Sequence, residues 1–394
     1  MERARHLVNT QRDIAPDVLR GFALLGILVV NIPYLALSSN GDGTRGIYLD
    51  GFANTAVGFL IMALFQGKFY LLFSFLFGYS SSYIIKGEKA NRIRWIKRCL
   101  FLMALGALHG TLLWFGDILY IYGLFGLLLI PFFFRSVKVL KIWTRLTFTL
   151  ISLVLAVIAV LLVLAERFIP EVDLSTSFSS VRAEKLDEVM ISGTYLESIG
   201  ARAAYWLETL PALIFVQGVF AFVAFLVGLS ASRSKFLTIS TPDKSISRML
   251  KVGFIVGLPI QLLIATGWLF NDWSLERSES INFGLILVSM ITAPLLSMGY
   301  LAAILAIIQK KPFLVAWMQP AGKVALTTYI SQSIAMVFIF APWGLGLFQK
   351  VELWQLLPIA ILIWLIQSYS ANLWLKKFNL GPLEWTLNFL TKNR

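Results

Sequence analysis

The sequence predicts an all-α, polytopic membrane protein of about ten transmembrane helices, a single integral membrane domain over residues 1–394 with both termini in the cytoplasm. Three observations predict it. Apolar runs of about 20 residues, the length that crosses a bilayer as helix, recur along the chain. Only 14% of residues are charged and 58% are hydrophobic, with a mean hydropathy of +0.77, far from the roughly 25% charged residues of soluble domains. Lys and Arg also concentrate in alternate loops, as the positive-inside rule requires.

The expected spans lie near 18–37, 67–86, 97–114, 117–135, 143–165, 209–231, 249–270, 283–308, 323–342 and 355–375. With the N-terminus inside, 26 of the 34 Lys and Arg fall on the cytoplasmic side and 15 of the 21 acids fall on the other. The net charge of +13 is therefore a matter of topology, with a secondary attraction to anionic headgroups. Nothing resembles a base-reading module, so nucleic acid is excluded as a partner and the lipid bilayer is the expected one. Cys99 is the only cysteine and His6 and His109 the only histidines, which excludes an intramolecular disulfide and any thiolate or histidine-rich metal centre; no metal site is expected. The polar first dozen residues and the absence of a small-residue cleavage site argue against a cleavable signal peptide.

The first span opens with Asp17 and Arg20 and carries Asn31 deep inside. Eleven residues at 100° each return to within about 20° of the same face, roughly 16 Å further on. That gives one polar stripe, in a medium that tolerates such groups only with partners or a water-filled cavity. Asp17 and Arg20, three apart, can pair. The guanidinium can also clamp the phosphate of a ligand entering from the cytoplasm, with Asn31 lining the wall above it.

The outer loop 38–66 ends in a short apolar segment, 52–65, before Gln66-Gly67-Lys68-Phe69-Tyr70. It is either re-entrant, broken at the glycine, or part of one long tilted helix from 53 to 86. Lys68 is an interfacial lysine or a cation facing the cavity.

The third span carries Gly106, His109 and Gly110, and Asp117 follows at the hairpin to the fourth. The two glycines admit a close neighbour. Asp117 can fold back onto the imidazole and fix its tautomer, as a general base requires; alternatively, a neighbouring group satisfies His109 and Asp117 caps the next helix.

The 166–208 loop contains an amphipathic stretch, Val181 to Val189, readable as a cap or as a solvated connector. The 232–251 loop is a cytoplasmic turn between the two halves. In the ninth span Thr328 and Gln332 share a face, with Tyr329 and Ser333 beside it. Such polar residues either glue helices together or line a site.

Several of these segments resemble one family. Asp17-x-x-Arg20-Gly21-Phe22-Ala23-Leu24-Leu25-Gly26, Gly67-Lys68-Phe69-Tyr70 and the His109-to-Asp117 hairpin are similar to signatures of the YeiB family of bacterial membrane proteins. So are Ala325-Leu326-Thr327-Thr328-Tyr329-x-x-Gln332-Ser333 and Gly381-Pro382-Leu383-Glu384-Trp385. The resemblance implies a multi-pass protein of the bacterial cell membrane with a distant link to transmembrane acyltransferases. Many of those carry an arginine and a histidine in the first span. Arg20 matches the arginine, whereas Asn31 stands in the histidine's place, which leaves His109 as the membrane-embedded imidazole.

The expectation is then acyl transfer to an extracytoplasmic or membrane-associated small-molecule acceptor. Acyl-CoA would serve as the cytoplasmic co-substrate, with no covalently bound cofactor. His109 and Asp117 would be catalytic; Asp17, Arg20, Asn31, Lys68 and Gln332 would bind ligand. The alternative is export of a small anionic metabolite through the same cavity. A homo-oligomer is compatible with either.

Overall fold

The computed structural model describes residues 14–39, 46–169, 180–237, 241–274 and 278–392. Those residues form helices and turns with no β-strand among them. Seven helices are long and apolar enough to cross a membrane, or eight if one bent pair counts as a span.

Helix α1 (Ala15–Ala36) starts on Pro16 in its first turn and carries Pro33 near its end. Helix α2 (Phe52–Leu60) runs through a π-helical turn, Ile61–Phe65, into α3 (Lys68–Ile85). The junction is Gly67, whose φ of +79° is the left-handed conformation that glycine adopts at no steric cost. Phe52–Ile85 forms one 34-residue apolar unit, the long-helix alternative rather than a re-entrant loop. At 1.5 Å per residue it spans about 51 Å, longer than the roughly 30 Å hydrocarbon layer, so it tilts or projects.

The next two expected spans depart from the ten-span reading. Helix α4 (Asn91–Leu112) is long enough, but Arg92, Arg94, Lys97 and Arg98 occupy its first third. Helix α5 (Leu119–Leu128) has only ten residues before a 3-10 turn at Ile130–Phe132, about 15 Å or half a hydrocarbon layer. The sequence run looked long because the apolar residues continue through that turn, where Pro131 removes a backbone donor.

Helix α6 (Val137–Phe168), N-capped by Ser136, buries only about a tenth of its most apolar stretch within the protein, as a lipid-facing helix does. Residues 170–179 of the long outer loop lie outside the described residues. The rest of that loop is helical: α7 (Val181–Ser192) and the start of α8 (Tyr195–Ala212), the latter opened by a Thr194–Glu197 capping box. Ala183, Leu186 and Met190 of α7 are buried, and Asp187 accepts from Ser38 Oγ at 3.0 Å and from the Ser39 amide at 2.8 Å. The stretch is a packed cap on the end of α1, not a solvated connector.

A π turn, Leu213–Gly218, joins α8 to α9 (Val219–Arg233). In the 232–251 connection, α10 (Asp243–Lys251) runs through a π turn into α11 (Leu258–Asp272). Helix α12 (Glu279–Lys310) crosses next. A broken span follows, in which 3-10 turns and α13 (Gln319–Lys323) meet α14 (Ala325–Phe340) at 86°. Helices α15 (Leu353–Leu375) and α16 (Pro382–Thr391) complete the chain. The break packs on α1. A Cβ on Gly322 would lie 1.7 Å from the Asp17 carbonyl oxygen, and one on Gly21 would lie 2.2 Å from that of Met318. Two facing glycines let these backbones touch.

Candidate functional site

The start of α1, the end of α3, the start of α4 and the start of α14 meet at one end of the bundle. Together with α16 they enclose a cavity of about 770 Å³, within the range of small-molecule sites. Near those helix ends it is lined by Arg20, Arg94, Arg98 and Lys323, against only Asp17 and Glu384. Further along the helices the lining turns apolar and aromatic, with Phe73, Phe77, Trp95, Leu102, Tyr122 and Tyr329. A cationic mouth over an aromatic floor suits an anionic amphiphile.

Arg20 and Arg94 are hydrogen-bonded by their neighbours. Arg20 Nη1 lies 2.6 Å from Asp17 Oδ1 and its Nη2 donates to Ser80 Oγ, so the spacing-based pair is formed. Arg94 and Arg98, one helical turn apart, face the cavity; Arg94 donates to Asn388 Oδ1 at 3.3 Å, and the Arg98 guanidinium lies 6.0 Å over the Phe77 ring. Glu384 of α16 caps the broken span: Oε1 accepts from the Leu326 and Thr327 amides at 2.7 and 3.1 Å, and Oε2 accepts from Thr327 Oγ1 at 2.6 Å. A carboxylate there meets the positive end of the α14 dipole.

One layer behind the aromatic wall lies the histidine. His109 Nδ1 is 2.7 Å from Asp117 Oδ2 and Nε2 is 2.8 Å from Ser333 Oγ, with the His109 and Asp117 side chains fully buried. A carboxylate on Nδ1 holds the proton there and leaves Nε2 to accept from the serine hydroxyl. Asp117 Oδ1 also accepts from the Tyr120 amide at 2.8 Å, so the same residue that orients the imidazole caps α5. The local sequence enforces this fold-back. A Cβ on Gly106 would sit 2.3 Å from the Tyr120 nitrogen and 2.4 Å from Asp117 Oδ1, while Gly110 receives the indole of Trp206. Tyr329 lines the cavity and packs its ring 5.1 Å from that of His109. Its buried hydroxyl has no acceptor for its own proton, with the Ile118 backbone amide beside it.

Of the residues expected to bind ligand, Asp17 and Arg20 line the cavity; Asn31, Lys68 and Gln332 do not. The cavity reaches Ile27 on α1 and stops one turn short of Asn31. Lys68 is fully buried and donates to the Met62 carbonyl at 2.9 Å, where the π turn frees an acceptor, with Ser289 Oγ 3.4 Å away. Gln332 donates to the Leu24 carbonyl at 3.3 Å, joining α14 to α1. Sequence reasoning passed over Arg94, Arg98 and Glu384 as site residues, and placed Tyr329 and Ser333 only beside a polar face that either glues helices together or lines a site. The arginines were visible as an i, i+4 pair beside Trp95, but their loop charge had a sufficient explanation in topology. Ser333 stands 224 residues from His109, a separation no local pattern reports. Among the described residues, no group of three or more His, Cys, Asp or Glu side chains could hold a metal ion.

Comparison with known proteins places this sequence in a family. A family model described as "Protein of unknown function (DUF418)" matches residues 231–393, which include Tyr329, Ser333 and Glu384. The YeiB protein of Escherichia coli (strain K12), described as uncharacterized, is 30% identical over 391 residues, covering 97% of this chain and 96% of its own. This chain belongs to the YeiB (DUF418) family. Further relatives are YxaH of Bacillus subtilis (strain 168), also described as uncharacterized, at 26% identity over 94% of this chain and 91% of its own. A 39.9 kDa protein encoded in an amylase 3' region of Bacillus acidopullulyticus is 28% identical over 96% and 93%. The YeiB-family similarity thus spans the whole bundle, both the α1–α5 half that carries Arg20 and His109 and the α14–α16 half that closes the cavity.

Proposed function

We propose that the protein is a membrane acyltransferase whose basic cavity holds a phosphate-bearing acyl donor such as acyl-CoA, and whose Ser333 carries the acyl group with His109 as its base and Asp117 orienting the imidazole. The observation that supports this most is the order Ser333 Oγ, His109, Asp117, with hydrogen-bond lengths of 2.8 and 2.7 Å. A nucleophile, a base and an orienting acid in hydrogen-bonded sequence is the arrangement that activates a hydroxyl. In the positive-inside orientation the cavity opens to the cytoplasm, where such donors are found.

The donor's phosphates lie among Arg20, Arg94 and Arg98, and its pantetheine arm runs along the aromatic wall, bringing the thioester toward Tyr329. Ser333 Oγ attacks the thioester carbonyl as its proton passes to His109 Nε2. The C–S bond breaks, and the leaving thiolate takes that proton from the imidazolium to depart as thiol. An acceptor hydroxyl or amine then gives its proton to His109, attacks the Ser333 ester and leaves acylated; the proton returns to Ser333. Tyr329, one turn before Ser333 and with no acceptor for its hydroxyl proton, donates to the oxyanion. Donors fixed in a dry site stabilise such charge far better than water does. Ser333 and His109 stand behind the Tyr329 side chain, so the reaction requires that ring to swing aside.

Carriage of an anionic amphiphile without chemistry is the second reading. It is favoured by one observation: none of Ser333, His109 and Asp117 lines the cavity. Labelled acyl-CoA given to purified protein separates the two. Transfer or hydrolysis above background that is lost in His109→Ala supports the enzyme. Flux of chemically unchanged solute in proteoliposomes, with equal turnover of donor by wild type and mutant, would support the carrier.

A further inference from the structure

A second polar feature lies at the opposite end of the bundle and stands apart from the acyl-transfer reading. Arg202 of α8 is 1% exposed. Its Nη1 donates to the Leu112 carbonyl at 2.7 Å, three residues beyond His109 at the end of α4, while its Nη2 has no partner. No carboxylate among the described residues lies within ion-pairing distance of it. The rings of Trp343 and Tyr195 face the guanidinium at 5.6 and 5.8 Å. Those rings and the negative end of the α4 dipole supply partial charge only. A buried cation without a full counter-charge is strongly disfavoured.

Beside it is a second orphan. Trp114, 3% exposed, has an indole Nε1 with no partner. Arg202 and Trp114 line one small void with Ser39, Phe115, Leu186 and Met190, whose volume of about 10 Å³ is about that of one water; a halide ion, somewhat larger, seats there with a small outward shift of the flexible Leu186 and Met190 side chains. Two of the groups around this space are donors that cannot accept, and one of them is charged. Water would occupy the space but leave the charge uncompensated. A polyatomic anion such as phosphate or a carboxylate is too large for it.

We infer that Arg202 and Trp114 bind a single monatomic anion, chloride under ordinary conditions, beneath the α7 cap. The anion completes the hydrogen bonding of Arg202 Nη2 and Trp114 Nε1 and supplies the missing charge. Through the Arg202–Leu112 bond, it also fixes the end of the helix that carries His109. A ligand that binds only the folded state stabilises in proportion to the logarithm of its concentration.

The test uses the purified full chain, exchanged into gluconate, an anion too large for the void. Chloride or bromide is then titrated at constant ionic strength while thermal unfolding is followed. The melting temperature is expected to rise saturably with either halide, Arg202→Gln to abolish the response, and Trp114→Phe to raise the halide midpoint about tenfold, since one of two hydrogen bonds to a charge is lost. Bromide-soaked crystals should show an anomalous peak beside Arg202. Unresponsive wild-type protein, or ordered water without anomalous signal at saturating bromide, overturns the site. Should Arg202→Gln fail to fold, an unchanged halide midpoint in Trp114→Phe overturns it equally.

Discussion

The ring of Tyr329 stands 5.1 Å from that of His109 and forms the partition between the basic cavity and the buried relay. Cavity on one side and imidazole on the other make Tyr329 the residue on which donor binding and chemistry would converge in the proposed acyl transfer. Tyr329→Phe keeps the ring and removes the hydroxyl. Acyl transfer should fall about 10²- to 10³-fold, the usual cost of one oxyanion donor, with donor affinity and melting temperature little changed. Turnover and donor binding measured side by side on the variant check this.

The Ser333, His109 and Asp117 side chains should act as a unit. Ser333→Ala and His109→Ala should each abolish labelling of the protein by acyl donor, and the double variant should be no slower than either, because groups of one relay are not additive. Intact-protein mass spectrometry after a pulse of donor shows the acyl adduct in wild type and its loss in the single variants.

Burial makes the His109–Asp117 pair costly to break. Asp117→Ala strands the imidazole and leaves the Tyr120 amide without its cap. We expect a loss of about 1–3 kcal/mol for each buried donor left without its acceptor. His109→Ala combined with Asp117→Ala should cost less than the sum of the two single changes, as read from thermal unfolding in detergent.

The arginines should govern donor binding rather than stability. Arg98→Gln and Arg94→Gln should each weaken acyl-CoA binding about tenfold, one charge-assisted contact to phosphate apiece. Binding by the wild type should weaken as salt rises, because charges at an open mouth are screened. Titration calorimetry at two ionic strengths measures both effects.

The glycine contact between α1 and the broken span leaves no room for a methyl. Gly322→Ala places a Cβ 1.7 Å from the Asp17 carbonyl oxygen, a backbone atom that cannot swing away as a side chain can. The variant should lose about 1–3 kcal/mol or more and disturb the Asp17–Arg20 pair. Lowered yield and melting temperature, together with weakened donor binding, are the expected readings.

Short-range relationships were legible in the sequence. Asp17 and Arg20 pair because three residues bring two side chains to one face of a helix. Asp117 reaches His109 because Gly106 leaves space for a fold-back across a tight turn. The seven long apolar helices followed from hydropathy, whereas α5 did not, since an apolar run continues where Pro131 ends the helix. The stripe from Arg20 to Asn31 was correct as helix geometry, yet helical phase alone cannot say where a cavity ends. Lys68 had the polarity of a ligand contact, and its partner is a carbonyl released by a π turn that no composition reveals. Ser333 and Glu384 needed the tertiary fold, because the first meets a residue on a distant helix and the second caps one.

The most direct test of the central claim is a structure with a non-hydrolysable acyl-CoA analogue bound. We predict nucleotide and phosphate density among Arg20, Arg94 and Arg98, the pantetheine arm along Phe73, Phe77 and Tyr122, and the thioester position against a displaced Tyr329 within reach of Ser333 Oγ. An empty cavity at saturating analogue, or a bound head group with its thioester pointing away from Tyr329, would contradict acyl transfer at this site.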